Sequence, residues 1–243
     1  MTKLEANRLK KFCSMINIEF KDLELLKVAL THRSYCNEFK KGKIQHNERL
    51  EFLGDAALEL LVSRYLFSRY TKRAEGELTS FRAATVRTES LSDEAKKLSI
   101  GEYIFMSRGE ERTGGRNRPY ILANTFEAIV GALYLDQGLQ PTDKFLKRVL
   151  FYKISDIVKN RLDIDNKSKL QEISQEILKD TPVYEIVRSV GPDHAKVFTV
   201  KVLIKQKNFG TGKGQNKQEA EQNAASEALN NWKKHIAKYF GID

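Results

Sequence analysis

Apolar positions recur at helical spacing through most of the first 160 residues. Leu23, Leu26, Ala29 and Leu30 form one such run, Leu50, Leu53, Ala57, Leu60 and Leu61 a second, and Ile121, Phe126, Ile129, Val130 and Leu133 a third. Turn-forming residues gather between the runs at 37–43, 75–77, 112–119 and 138–142. No alternating run interrupts this pattern, which predicts an all-α domain of several helices. After Arg161 the period changes. Residues 165–168 (DNKS) open a helix carrying Leu170, Ile173, Ile177 and Leu178, and residues 180–182 (DTP) close it. Residues 183–190 read as a strand. Residues 197–205 alternate, with Phe198, Val200, Val202 and Ile204 on one side and Thr199, Lys201, Leu203 and Lys205 on the other. A turn at 191–194 separates these two strands. A short third strand at 208–211 and an Ala-rich helix at 216–232 follow. Three strands consecutive in sequence predict an antiparallel meander with both helices on one face. The chain is thus expected to be multi-domain, with an all-α domain at 1–159 and a linker at 160–166. A small α+β (α-β-β-β-α) module at 167–235 and a tail at 236–243 complete it.

Composition narrows the function classes. Apolar residues make up 41% of the 243, enough for a sizeable core, and 42 basic against 32 acidic residues leave a net charge of +10. That balance excludes an acidic solvating protein and makes a polyanion the natural partner. Only 14 basic and 11 acidic residues follow Asn160, so most of the excess lies in the helical part. No stretch approaches the roughly 18 uninterrupted apolar residues that a membrane span needs. The charged start MTKLEANRLKK lacks an apolar export region. A cytoplasmic protein is expected, with Cys13 and Cys36 as reduced, buried thiols.

The segment around residues 46–63 carries the first candidate chemistry. Glu48, Glu51, Asp55 and Glu59 are spaced 3, 4 and 4. At about 100° per residue they form one stripe roughly 80° wide on a helix. No Lys or Arg lies between Leu50 and Ser63, where an ordinary acidic face would carry basic partners one turn away. Two readings are open for the segment alone: an amphipathic helix whose acids face water, or an oxygen cluster suited to Mg²⁺ or Mn²⁺. A second base-free segment at 119–137 favours the latter. Asn124 and Glu127 stand one turn apart in its strongly apolar middle, ILANTFEAIVGALYL. Burying two such groups without partners costs a few kcal/mol. Packed against the first helix they complete a site of Glu51, Asp55, Asn124 and Glu127; otherwise they are hydrogen-bonded core polar residues. His32, His46, His194 and His235 are scattered without evident pairing, which argues against a two-histidine mechanism and reads His32 and His46 as structural.

The run HNERLEFLGDAALEL (46–60) closely resembles the signature of ribonuclease III, the double-stranded-RNA endonuclease family. ALTHRSY (29–35), EGELT (75–79) and ANTFEAIVGALYLD (123–136) corroborate it. The second module resembles a double-stranded-RNA-binding domain in LQEISQ (170–175), GPDHAKVFTV (191–200) and the glycine-then-alanine pattern of 212–225. The resemblance covers nearly the whole chain in the order of a bacterial enzyme. It implies a homodimer of catalytic domains that hydrolyses both strands of duplex RNA with Mg²⁺, leaving 5′-phosphate and 3′-hydroxyl ends with short 3′ overhangs. Processing of rRNA and mRNA precursors is the role implied. The family's principal metal-site carboxylates fall at Glu51, Asp55 and Glu127, with Glu48 supporting the site near the scissile phosphate. The catalytic set is then Glu48, Asp55 and Glu127, with Glu75 auxiliary. Glu59 has no counterpart. Asn124 stands where the family commonly has Asp. An amide oxygen still coordinates Mg²⁺ but brings no charge, so two outcomes are open: an active variant, or a non-catalytic dsRNA-binding dimer.

Duplex RNA hides its base edges in a deep groove, so proteins read its shape, 2′-hydroxyls and phosphates. Gln171 and Gln175 share a helix face, with Glu172 beside them, where side-chain polar groups suit the minor groove. His194 on the strand-connecting turn is placed for a neighbouring minor groove. Lys213 and Lys217 flank a helix start, where their charge opposes the helix dipole unless a phosphate bridges them; solvated loop lysines are the other reading.

Overall fold

The computed structural model describes residues 1–38, 45–163, 165–192 and 196–241. Two units, Met1–Asp163 and Ile164–Asp243, divide the chain. In the first, the described helices are α1 (Lys3–Met15), α2 (Leu23–Ala29), α3 (Arg33–Glu38), α4 (Glu48–Arg69), α5 (Glu75–Val86), α6 (Thr88–Lys97), α7 (Ile100–Tyr103), α8 (Arg108–Arg112), α9 (Pro119–Gln137), α10 (Leu139–Val149) and α11 (Ile154–Asn160). Two of the expected breaks prove to be helix starts. Glu75 to Glu77 form the first turn of α5, where the Glu77 carboxylate accepts from the Ala74 N–H at 3.2 Å and so caps the helix. Gly138, at φ +83°, interrupts the chain for one residue before α10 begins. The break at 112–119 holds the end of α8 and a 3-10 turn, Gly115–Asn117. The break at 37–43 lies mostly outside the described residues.

Helix α9 explains the arrangement. Eleven of its 19 residues are buried, on all sides, so it must be surrounded by other helices. It packs against α2, α4, α6 and α10. The α4 contact is the closest. A Cβ at Gly54 would collide with the backbone carbonyl of Glu127, and one at Gly131 with that of Leu50. The two helices therefore touch backbone to backbone, with Leu50, Ala57, Leu58 and Leu61 of α4 buried along the same seam. A short parallel bridge between Thr31 and Phe105 ties the start of α3 to the segment before α8. Its bonds are His32 N–H to Phe105 O at 2.9 Å and Phe105 N–H to Leu30 O at 2.8 Å. Cys13 is buried as expected, Cys36 only half-buried, and both are free thiols.

The second unit comprises α12 (Asn166–Leu178), β1 (Val183–Val190), β2 (Val197–Ile204), β3 (Lys207–Gly214), α13 (Lys217–Asn230) and α14 (Trp232–Phe240). Its sheet is antiparallel in the order β1-β2-β3, with a register shift between Ile186 and Arg188. Val200, Val202 and Ile204 point to a core shared with Leu170 of α12 and Ala220, Ala224 and Ala228 of α13. The third strand is longer than its sequence suggests. It runs on through Gly212 and Gly214, where a Cβ would strike the α13 backbone, so these glycines admit the helix rather than end the strand.

Two expected boundary regions carry structure of their own. The 160–166 linker is taken up from both sides: Asn160 ends α11, Arg161 lies 3.8 Å from Glu77 and 3.3 Å from Asp163, and Asp165 caps α12 through the Lys167 and Ser168 amides. The 236–243 tail is mostly helix, since α14 extends to Phe240. Ile236 is 5% exposed, and the rings of Trp232, His235, Tyr239 and Phe240 surround Phe209. Ile236→Ala is accordingly expected to destabilise this unit by about 2–3 kcal/mol, read as a lower thermal midpoint. A dispensable tail would leave the melt unchanged.

Candidate active site and nucleic-acid interface

The backbone contact at Gly54 and Gly131 brings the polar positions of two apolar helices together. Glu51 and Asp55 flank Gly54 on α4, and Asn124 and Glu127 precede Gly131 on α9 by two turns and one. Glu51 is half-buried and lines the same cleft as Asn124. Its pKa is raised, first by burial and then by the neighbouring charge of Glu48 and, less, Asp55; the Asn124 amide partly offsets this. Glu127 is more affected. Burial, and after it the charges of Asp55 and Glu51, push its carboxyl up to about 8. Asp55 itself is exposed. Among the described residues, none of Glu51, Asp55 and Glu127 has an ion pair. No three Asp, Glu, His or Cys side chains among them converge closely enough to hold a metal ion by themselves. Glu51, Asp55 and Glu127 thus lie within one another's electrostatic reach, and Glu51 shares a cleft with Asn124.

Glu48, at the first turn of α4, lies at the rim. Its carboxylate is 3.8 Å from Arg33 Nη1 and 3.7 Å from His46 Nδ1. It shares with Glu51 and Asn124 a cleft of about 490 Å³, also lined by His32, Asn47, Glu110 and Tyr120. Across this cleft Arg118 anchors Glu110 at 2.5 Å. Sequence reasoning did not single out Glu110 or Tyr120: they reach the cleft from α8 and from the first turn of α9, and no periodic signal links them to α4. Glu75 sits elsewhere, exposed at the start of α5, accepting from Thr79 Oγ1 at 3.0 Å; it does not line this cleft. Glu59 is exposed.

In the second unit Gln171, Glu172 and Gln175 are placed on α12, and Gln175 donates to Thr181 Oγ1 at 3.3 Å. Lys213 is exposed near the end of β3 and Lys217 is the first residue of α13. Neither forms an ion pair among the described residues. The helix that Lys217 opens is followed by α14, so it is not the last of the chain. His194 lies outside the described residues.

A family model described as Ribonuclease-III-like matches residues 22–154, and one described as Double-stranded RNA binding motif matches residues 166–231. The chain is 47% identical over 234 residues to Ribonuclease 3 of Bacillus velezensis, covering 96% of this chain and 94% of that protein. It is 46% identical over 238 residues to Ribonuclease 3 of Bacillus licheniformis, covering 98% and 95%. Among solved structures it resembles the nuclease domain of ribonuclease III from Campylobacter jejuni, described for flexibility in a region involved in dimer formation. The TM-score is 0.55 at 42% identity, over 59% of this chain and 96% of that one. The chain belongs to the ribonuclease III family, whose nucleases depend on a divalent metal, and it is an endoribonuclease acting on double-stranded RNA. Among the described residues no helix is long and apolar enough to cross a membrane.

The Glu127 shift predicts how metal-free protein responds to pH. Its carboxyl ionises near 4.5 when unfolded and near 8 when folded, so the native state holds the extra proton between these values. Stability is full below about 4.5, falls as pH rises, and levels off above about 8. Discounted for solvent access, the loss is about 1–2 kcal/mol. In EDTA, Glu127→Gln is expected to melt several degrees above wild type at pH 8, the gap closing toward pH 5. Parallel melting curves would contradict the assignment.

Proposed function

We propose that the α4–α9 crossing is the hydrolytic centre, with Glu51, Asp55, Asn124 and Glu127 holding Mg²⁺, for which Mn²⁺ can substitute. The observation that carries this reading is Glu127. A carboxyl raised to about 8 by burial and two neighbouring acids, with no base beside it, needs a cation to be ionised at neutral pH. Hard oxygen donors of this kind suit Mg²⁺. When bound, the ion supplies a more acidic water and neutralises charge developing at phosphorus. The protein's own groups do the rest. The Asn124 amide beside Glu51 favours that carboxylate's ionised form, and its carbonyl oxygen is a neutral ligand for the ion. Glu127, beside Asp55 and Glu51, would give up its proton when the ion binds. Glu48, tethered between Arg33 and His46, supports the site beside the scissile phosphate, and Glu75 is auxiliary.

Products with 5′-phosphate, 3′-hydroxyl and short 3′ overhangs require two such centres, hence a homodimer. Its support is a line of exposed apolar residues on α4: Phe52 (80% exposed), Leu60 and Phe67. Beside it lies an apolar cleft of about 880 Å³ lined by Leu25, Val28, Leu53 and Leu135. Side chains this apolar are rarely left to water in one patch. Gln171, Glu172, Gln175, Lys213 and Lys217 form the duplex-binding surface of the second unit, with His194 assigned by sequence alone. Net positive charge fits a cytoplasmic enzyme acting on rRNA and mRNA precursors.

Two experiments test this. Mg²⁺-dependent cleavage of a long RNA duplex is expected from this chain, and Asn124→Asp is expected to lower the Mg²⁺ needed for half-maximal rate about tenfold by adding a charge. Cleavage confined to the Asn124→Asp variant would instead make this chain a binder. Phe52→Asp is expected to shift the protein from dimer to monomer mass in sedimentation; unchanged mass would remove Phe52 from the interface.

A further inference from the structure

His32 takes no part in the reading above, yet its hydrogen bonds leave it one chemical option. The Ser34 N–H points to His32 Nδ1 at 3.3 Å, so Nδ1 carries no proton. Ser34 Oγ already accepts the Ser107 N–H at 3.1 Å and lies 2.8 Å from the same Nδ1, where its own proton is placed to be donated once Nδ1 takes the Ser34 N–H. Two donors converge on Nδ1, and the ring's one proton is left on Nε2. Burial, outweighing the pull of Glu110 and Glu48, keeps the imidazole's pKa below its ordinary value, so the ring is neutral near pH 7. The main chain locks this in place through the Thr31–Phe105 bridge described above.

A neutral imidazole with Nδ1 engaged and Nε2 protonated cannot ligate a metal through either nitrogen and cannot act as a base. It can only donate. Nε2 is not among the buried, unpartnered atoms of the described residues, and His32 lines the cleft shared by Glu48, Glu51 and Asn124. No acid among the described residues takes that proton: Glu110 is held by Arg118 at 2.5 Å, and Glu48 faces Arg33 at 3.8 Å. An acid-lined cleft that admits a polyanion has to offer donors somewhere. Phosphate oxygens accept and never donate, which makes them the fitting partner for a fixed donor.

We propose that His32 is a substrate-binding residue, its Nε2–H fixed by Ser34 to donate a hydrogen bond to a phosphate oxygen of the RNA strand lying across Glu48, Glu51 and Asn124. This rests on the α4–α9 crossing being the hydrolytic centre. The competing role is structural, with His32 only capping α3 through Nδ1. His32→Asn separates them, because the Asn side-chain oxygen replaces Nδ1 as a cap while nothing replaces Nε2–H. His32→Gln restores a donor near the Nε2 position.

The test is single-turnover cleavage of an RNA duplex by the full-length protein at saturating enzyme with Mg²⁺, alongside duplex binding in EDTA. His32→Asn is expected to slow cleavage about 10–100-fold, the range for one lost hydrogen bond at a reacting phosphate. Duplex affinity should stay within about threefold, since many other phosphate contacts remain, and His32→Gln should recover most of the rate. Cleavage by His32→Asn within twofold of wild type, or a Gln variant as slow as the Asn variant, overturns the proposal. So does a loss confined to affinity. Replacing the ribose by deoxyribose beside the cut should leave the His32→Asn defect unchanged; a defect that vanishes there moves the contact to a 2′-hydroxyl and refutes the phosphate assignment. Independently of any variant, ¹⁵N spectra of the wild-type ring must show Nδ1 unprotonated, and a protonated Nδ1 refutes the tautomer. Glu127→Gln, assayed in parallel, keeps the two readings apart. If it cuts normally, the centre itself is misplaced; if it is inactive while His32→Asn is not, only the His32 proposal fails.

Discussion

Two helices touching through their main chains is the constraint on which the rest depends. Gly54 and Gly131 let α4 and α9 approach until a side chain of any size would strike a carbonyl. That approach places Glu51, Asp55 and Glu127 among one another's charges. Their repulsion acts to open the crossing, and burial of eleven α9 residues acts to close it. At about 1.5–3 kcal/mol for each large side chain removed from water, burial is much the larger quantity. The protein therefore yields in protonation rather than in geometry: Glu127 keeps its proton to about pH 8 instead of swinging apart from its neighbours.

The second unit uses the same device for another end. Glycines on β3 admit α13, and the alanines facing them keep the helix thin enough to lie flat on the sheet. Gln171, Glu172 and Gln175 of α12 and Lys217, the first residue of α13, are then left on the outside. Lys217 at the positive end of a 14-residue helix works against the helix dipole, and folding gains nothing from it there. An anion supplied from outside reverses that balance.

How far this was legible in the sequence depends on whether a feature was local. Helices α4 and α9 announce themselves by period, and the acids that lack basic partners stand out inside them. The first two strands follow from alternation. The third was half-hidden, because Gly212 and Gly214 look like a turn unless the helix pressed against them is known. Helix α14 was missed although Trp232, Ile236 and Phe240 recur at helical spacing; the signal was present but short. The starts of α5 and α10 were mistaken for loops because Gly76 and Gly138 resemble breaks, whereas Glu77 caps one helix and Gly138 occupies a single residue. The nearness of Asn124 to Glu51 was inferable only as a pairing of faces. The state of His32 was not legible at all, since it is set by a serine two residues on and an amide 73 residues beyond that.

Helix α4 also carries more than one duty on a single cylinder. Leu50, Ala57 and Leu61 face the interior, Glu51 and Asp55 face the neighbouring helix's polar turn, and Phe52, Leu60 and Phe67 face outward. Successive residues Glu51 and Phe52 differ by about 100° in azimuth, a fixed angle of the helix itself. The acidic and outward apolar stripes are therefore geared like teeth cut on one shaft. Any rotation that retunes one displaces the other by the same arc.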